Sequence, residues 1–155
     1  MSKHLLDFKD TEKKDIEKLI DITGKLNPEK TDEISSISLL KFDEPSTRTR
    51  LSLSVAAYRL GIKTFESSDM TSAKIKGENL KHEIETYKSM GIESLVIRTK
   101  EDNIEEYRKF EDISIISGGF GTSSHPTQAI LDATTLDKFN TVSYTHLTLP
   151  TTPYV

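Results

Sequence analysis

Short apolar runs rich in branched residues alternate along this chain with longer runs of helical period. Ile34 to Phe42, Ile62 to Phe65, Leu95 to Ile97 and Ile113 to Ile116 read as strands, the first of them buried on both faces. Between them lie helical patterns. Ile16, Leu19, Ile20, Thr23 and Leu26 follow a cap at Asp10 or Thr11 and stop at Pro28. Leu51, Val55 and Tyr58 mark one face of a helix that Gly61 ends, and Leu80, Ile84 and Tyr87 mark another that ends near Gly91. Asp102 to Lys109 forms a short helix, and Pro126, suited to a first helical position, opens one carrying Ile130, Ala133 and Leu136. Ser67 to Gly77 is polar and aperiodic, and Gly118, Gly119 and Gly121 read as a flexible loop. Strands that alternate with helices at this pitch specify an α/β domain: three layers, with a mostly parallel sheet flanked by helices.

Composition narrows the function. A chain of 155 residues supports one domain with a real core, and 34% hydrophobic with 30% charged residues is a folded composition. The formal charge of -4 disfavours a general nucleic-acid binder, which needs a basic surface. No apolar run is long enough to span a membrane, and Met1 to Lys13 lacks the apolar core of a signal peptide, so a cytoplasmic setting without a membrane partner is expected. There is no cysteine, and His4, His82, His125 and His146 show no metal-like pairing, so no metal site is expected.

The chemistry concentrates at Ser46-Thr47-Arg48-Thr49-Arg50, between the strand ending at Phe42 and the helix starting near Leu51. A helix start offers unpaired N–H groups and the positive end of the dipole. Arginine adds planar recognition of phosphate or carboxylate, and the hydroxyls add short neutral donors. Capped, solvated helix starts use the same residue types, but the whole string behind a buried strand points to a phosphoryl-bearing ligand. In parallel sheets, ligands sit beyond the carboxyl ends of the strands. Arg98 ends one strand and His125 follows another, so both fall on that edge. A histidine just before a Pro-initiated helix is held neutral by the dipole and suits donation to a carbonyl oxygen. The Gly118-Gly119-Phe120-Gly121 loop is no dinucleotide fingerprint. His82, Asp43, Glu101/Asp102 and Glu105/Glu106 read as solvated residues without a role.

Ser46-Thr47-Arg48-Thr49-Arg50, Lys76-Gly77-Glu78, Arg98 and His125-Pro126-Thr127-Gln128 occur in an order and spacing that resemble the carbamoyl-phosphate-binding half of the transcarbamoylases. Glu44-Pro45 and Lys76-Gly77-Glu78 look like the catalytic chain of the aspartate branch more than the ornithine branch. The resemblance runs from about Leu5 to Asp137. It implies that Ser46, Thr47, Arg48 and Thr49 hold the phosphate of carbamoyl phosphate. It implies that Thr49, Arg98 and His125 are catalytic, donating to the carbonyl oxygen, and that Gln128 binds the carbamoyl amide. Ser72 and Lys76 would reach into a neighbouring subunit's site in a homotrimer, and a regulatory subunit is a further partner the family allows. The implied reaction carries the carbamoyl group to the amine of aspartate, in pyrimidine biosynthesis. It needs no cofactor, because fixed donors aimed at the developing oxyanion and the leaving phosphate suffice.

Two departures flank the expected site: Asp43 where the family has an aromatic or apolar residue, and Phe120 where it has a polar one. The amino-acid-binding second domain is expected to be missing, and residues 1–140 are expected to form the carbamoyl-phosphate domain of an incomplete, inactive enzyme. Residues 141–155 are dominated by Thr and Pro, resemble translated adapter sequence, and are expected to be a non-native tail. The rival readings are a fragment acting on ornithine or another amine, and a non-catalytic phosphate-binding or assembly module.

Overall fold

The computed structural model describes residues 4–9, 11–26, 34–67 and 79–138. Among the described residues, nine elements run α1 (Lys13–Lys25), β1 (Ile37–Phe42), α2 (Thr47–Arg59), β2 (Lys63–Ser67), α3 (Leu80–Ser89), β3 (Ser94–Thr99), α4 (Ile104–Tyr107), β4 (Ser114–Phe120) and α5 (Pro126–Lys138). The four strands form one parallel sheet in the order β2-β1-β3-β4. This is the three-layer α/β architecture that the alternation predicts. Asp10, Pro28, Ser72, Lys76 and residues 141–155 lie outside the described residues.

The alternation within β1 sorts the core. Leu39 joins the larger cluster on one face, with Ile84 of α3, Ile104 and Tyr107 of α4, and Leu95, Ile97 and Ile115 of the neighbouring strands. Leu40 and Phe42 point the other way, to a smaller cluster with Val96, Leu53 of α2 and Ile116. Each fully buried aliphatic side chain here contributes about 1.5–3 kcal/mol, so the α3–α4 face supplies most of the hydrophobic stabilisation. Elsewhere α1 packs on α5, where a Cβ added at Gly24 would lie 3.8 Å from the Thr134 methyl.

Lys41, also on β1, points into the larger cluster. Its Nζ lies 2.6 Å from Glu83 Oε1 of α3, with side chains only 2% and 10% exposed. Tyr87, one turn further along α3, donates its hydroxyl to the same oxygen at 2.6 Å. Burial and that bond push the Tyr87 hydroxyl far above its usual range. A buried pair of this kind is neutralised internally, since an isolated charge there costs several kcal/mol.

Residues 4–9 are structured, which the polar start did not suggest. Leu5 adds to the outer edge of β4 as a parallel bridge to Ile116, donating N–H to Ile115 O and accepting from Ser117 N–H, both at 2.8 Å. Leu6 is fully buried, and Asp7 pairs with Arg108 at 2.7 Å. His4 Nδ1 accepts from Ile115 N–H.

Four local expectations are corrected. The strand starts at Ile37 rather than Ile34, because Ile34 N–H turns instead to Leu60 O at 2.6 Å. The short helix contracts to Ile104–Tyr107. Gly118 and Gly119 belong to β4, where the register with β3 slips between Ile97 and Arg98, leaving Gly118 as the extra residue of a bulge. On α2 the face toward the sheet carries Leu53, Ala57 and Leu60, while Leu51, Val55 and Tyr58 lie outside with Tyr58 83% exposed.

Candidate functional site

The carboxyl ends of β1, β3 and β4 bring three segments together. Asp43 N–H donates to Arg98 O at 2.8 Å, which carries the β1–β3 pairing one residue past β1 and sets Glu44 beside Arg98. Glu44 Oε1 lies 2.6 Å from Arg98 Nε. The contact is an ion pair by distance but lacks hydrogen-bond alignment, so the Nε–H has no aligned acceptor. Arg98 Nη1 donates to Gly118 O at 3.0 Å and stands 3.1 Å from His125 Nε2. Glu44, Arg98, Gly119, His125 and the turn from Gly121 to Ser124 enclose a cavity of about 150 Å³.

The glycines of β4 explain how Arg98 reaches His125. Gly119 has φ +130°, and a Cβ there would sit 3.1 Å from Arg98 Nη1 and 3.5 Å from His125 Cδ2. A side chain at this position would push the guanidinium off the imidazole. The bulge thus makes room for the pair and turns the following backbone toward α5.

His125 directly precedes Pro126, the first residue of α5, whose opening turn holds no acidic residue. Burial, and then the charge of Arg98, pull the imidazole below its ordinary value of 6.5. Its Nδ1 stands 3.3 Å from Thr127 Oγ1.

The start of α2 lies on the same sheet edge. Ser46 occupies the N-cap position with φ -151°, yet its side chain makes no capping hydrogen bond, and the first turn contains no acid. The first intrahelical bond is Arg50 N–H to Ser46 O, so the N–H groups of Thr47, Arg48 and Thr49 face outward without an intrahelical acceptor. By contrast, Asn79 caps α3 by accepting from Lys81 N–H at 2.9 Å. The open start of α2 suits an anion.

Of the sequence-predicted residues, Arg98 and His125 meet, and Ser46 to Thr49 form the adjacent helix start. Gln128 is exposed and donates along its own helix to Asp132 Oδ1 at 2.8 Å. Arg50 turns to the sheet edge, where Nη1 is 3.8 Å from Glu66. Phe120 does not flank the site: it is fully buried and stacks edge-on against Tyr107 at 5.2 Å, because the bulge reverses its direction into the core. Glu44 was read only as a marker of the aspartate branch, although a carboxylate two residues before an anion-binding motif signals an internal counter-ion.

Comparison with known proteins gives the family. The family described as aspartate/ornithine carbamoyltransferase, carbamoyl-P binding domain, matches residues 3–138. The aspartate carbamoyltransferase catalytic subunit of Thermus thermophilus is 34% identical over 142 residues, 86% of this chain and 47% of the relative. That of Malacoplasma penetrans is 39% identical over 127 residues, 80% of this chain and 41% of the relative. The catalytic subunit of M. jannaschii aspartate transcarbamoylase superposes with a TM-score of 0.75 at 31% identity, covering 89% of this chain and 47% of that one. The Trypanosoma cruzi aspartate transcarbamoylase, solved with carbamoyl phosphate and aspartate, gives 0.72 at 27%, covering 87% and 44%. The chain thus spans about half the length of the relatives it matches. With a parallel sheet, an open helix start after β1 and the Arg98–His125 pair on one edge, the chain belongs to the aspartate/ornithine carbamoyltransferase family, over its carbamoyl-phosphate-binding domain.

Proposed function

We propose that the protein binds carbamoyl phosphate as the N-terminal part of an aspartate carbamoyltransferase, which moves the carbamoyl group to the amine of aspartate and releases phosphate, a step in pyrimidine biosynthesis. The convergence of Arg98 and His125 beside the open start of α2 carries this reading. The phosphate would sit on the N–H groups and side chains of Ser46, Thr47, Arg48 and Thr49. The carbonyl oxygen would lie between Thr49, Arg98 and His125, where donors stabilise the charge that develops as the amine attacks. Aspartate is favoured over ornithine by the names of the relatives above 30% identity.

Two contacts of the site must change on binding. Glu44 neutralises Arg98, so a substrate oxygen must share or displace that carboxylate. Gln128 must release Asp132 before it can reach a carbamoyl amide. Leu51, Val55 and Tyr58 form an exposed apolar stripe along α2, which fits a subunit contact in a homotrimer. Ser72 and Lys76 would complete a neighbour's site there. Residues 141–155 are proposed as a foreign tail, in keeping with a family match that ends at residue 138.

A calorimetric titration tests the reading. Carbamoyl phosphate should bind the purified chain, and Arg98→Ala should weaken binding about tenfold or more, as expected for a charge-assisted contact. Because the chain spans about half the length of its relatives, carbamoyl-aspartate formation by it alone should be far slower than by a full-length relative assayed beside it. No binding of carbamoyl phosphate by the unaltered chain would overturn the proposal.

A further inference from the structure

The turn that walls the pocket is gripped from outside by a carboxylate the pocket does not contain. Asp102 lies just after β3. Its Oδ1 accepts from Ser123 Oγ at 2.7 Å. The same hydroxyl also lies 3.0 Å from Phe120 O, and its single proton goes to the nearer, charged acceptor. At the other end of the turn, Gly121 has φ +48° and packs its α-carbon against Asp102 so closely that any side chain would collide with the carboxylate. Gly121 N–H is tied to Thr99 O at 2.8 Å, and Ser124 N–H and Ser123 N–H both return to Phe120 O. The turn has no apolar anchor of its own, and its residues 121–123 are exposed.

We infer that Asp102 is a positioning residue for the carbamoyl-phosphate pocket: by holding Ser123 and Gly121 it sets the turn that delivers His125 to Arg98. The inference rests on the reading of this cavity as the substrate site. The turn runs into His125 through Ser124, which is itself held by donating Oγ–H to Leu6 O at 2.6 Å, so Asp102 and Leu6 together set the approach of the imidazole, Asp102 from the Gly121–Ser123 side. The receiving geometry is narrow, with Arg98 Nη1 3.1 Å from the ring and no room for a Cβ at Gly119 without pressing on the pair. Because the Asp102 side chain is exposed, its loss should cost the fold little while moving the pocket.

The test uses the whole chain with Asp102→Ala, Asp102→Asn, Ser123→Ala and the Asp102→Ala/Ser123→Ala pair. Two readouts are taken: affinity for carbamoyl phosphate, and the His125 ring resonances without ligand. Asp102→Ala should weaken binding by about tenfold, in line with loss of one charge-assisted bond, and shift the His125 resonances. Asp102→Asn should restore both, because its Oδ1 still accepts from Ser123. Ser123→Ala should match Asp102→Ala, and the pair should be no worse than either alone, as for two groups acting through one bond. Unchanged His125 resonances in Asp102→Ala, or equal losses in the Ala and Asn variants, would overturn the inference. If the unaltered chain fails to bind carbamoyl phosphate, the functional reading falls, while the His125 resonances still decide the positioning role.

Discussion

Arg98 Nη1 stands 3.1 Å from His125 Nε2, and this contact fixes the protonation of the ring. A guanidinium carries only donors, so Nε2 must accept, and the imidazole is neutral with its proton on Nδ1, toward Thr127 Oγ1. The pair therefore presents Nε2 as an acceptor. For His125 to donate to a carbonyl oxygen, Nε2 must gain the proton that Nδ1 now holds, as Arg98 turns to the same oxygen.

The lowered value of His125 gives stability a pH dependence with a definite sign. A ring kept neutral by the fold binds fewer protons folded than unfolded. Its contribution is complete above the ordinary value of 6.5 and is lost as the pH falls through the depressed folded value. His4, lowered chiefly by burial, acts in the same direction. Urea midpoints should fall between about pH 7.5 and about pH 5, and a His4→Gln/His125→Gln chain should show a shallower fall.

Removing one half of the Lys41–Glu83 pair should be severe. Lys41→Met or Glu83→Gln leaves a buried group without its partner and should cost about 3–5 kcal/mol in urea unfolding. Replacing all three members, Lys41→Met, Glu83→Leu and Tyr87→Phe, should recover most of that loss, because no polar group is then stranded.

Arg48→Ala should weaken inorganic phosphate binding far more than Arg59→Ala. Both lie on α2, but Arg48 is in the first turn and Arg59 in the last. The favourable field of a helix start fades within one turn. Equal losses in calorimetry would reduce the motif to a generic basic helix.

The exposed stripe on α2 predicts association. Tyr58→Glu with Leu51→Asp should abolish trimers in sedimentation velocity while leaving the melting temperature of the monomer nearly unchanged, because neither side chain is buried. A monomeric unaltered chain at high concentration would remove the case for this surface.

The alternation of strands and helices was legible because each carries its own period, and the substrate edge followed from topology alone. The Arg98–His125 pair was legible for the same reason. Which face of α2 turns inward was not. Leu51, Val55 and Tyr58 share helical spacing with Leu53, Ala57 and Leu60, and periodicity cannot choose between two apolar stripes. Gly118 and Gly119 read as loop because glycine marks both loops and bulges, and only the slipped register with β3 separates them. Lys41 escaped notice and Asp102 read as a solvated residue without a role, since their partners, Glu83 and Ser123, lie 42 and 21 residues away.

The bridge that Leu5 makes to β4 has a consequence for how the chain assembles. His4 and Ile115 are 111 residues apart, and Ser124 closes on Leu6 across 118. Whatever precedes them, residues 4 to 6 leave the ribosome long before their partners in β4 exist. They must stay unpaired until β1, β3 and β4 have aligned, so the earliest part of the domain to be made is among the last to settle. Contacts of such long range are closed slowly against chain entropy. The outer edge of β4 is thus open during synthesis and is the place where a nascent chain would meet another before it meets itself.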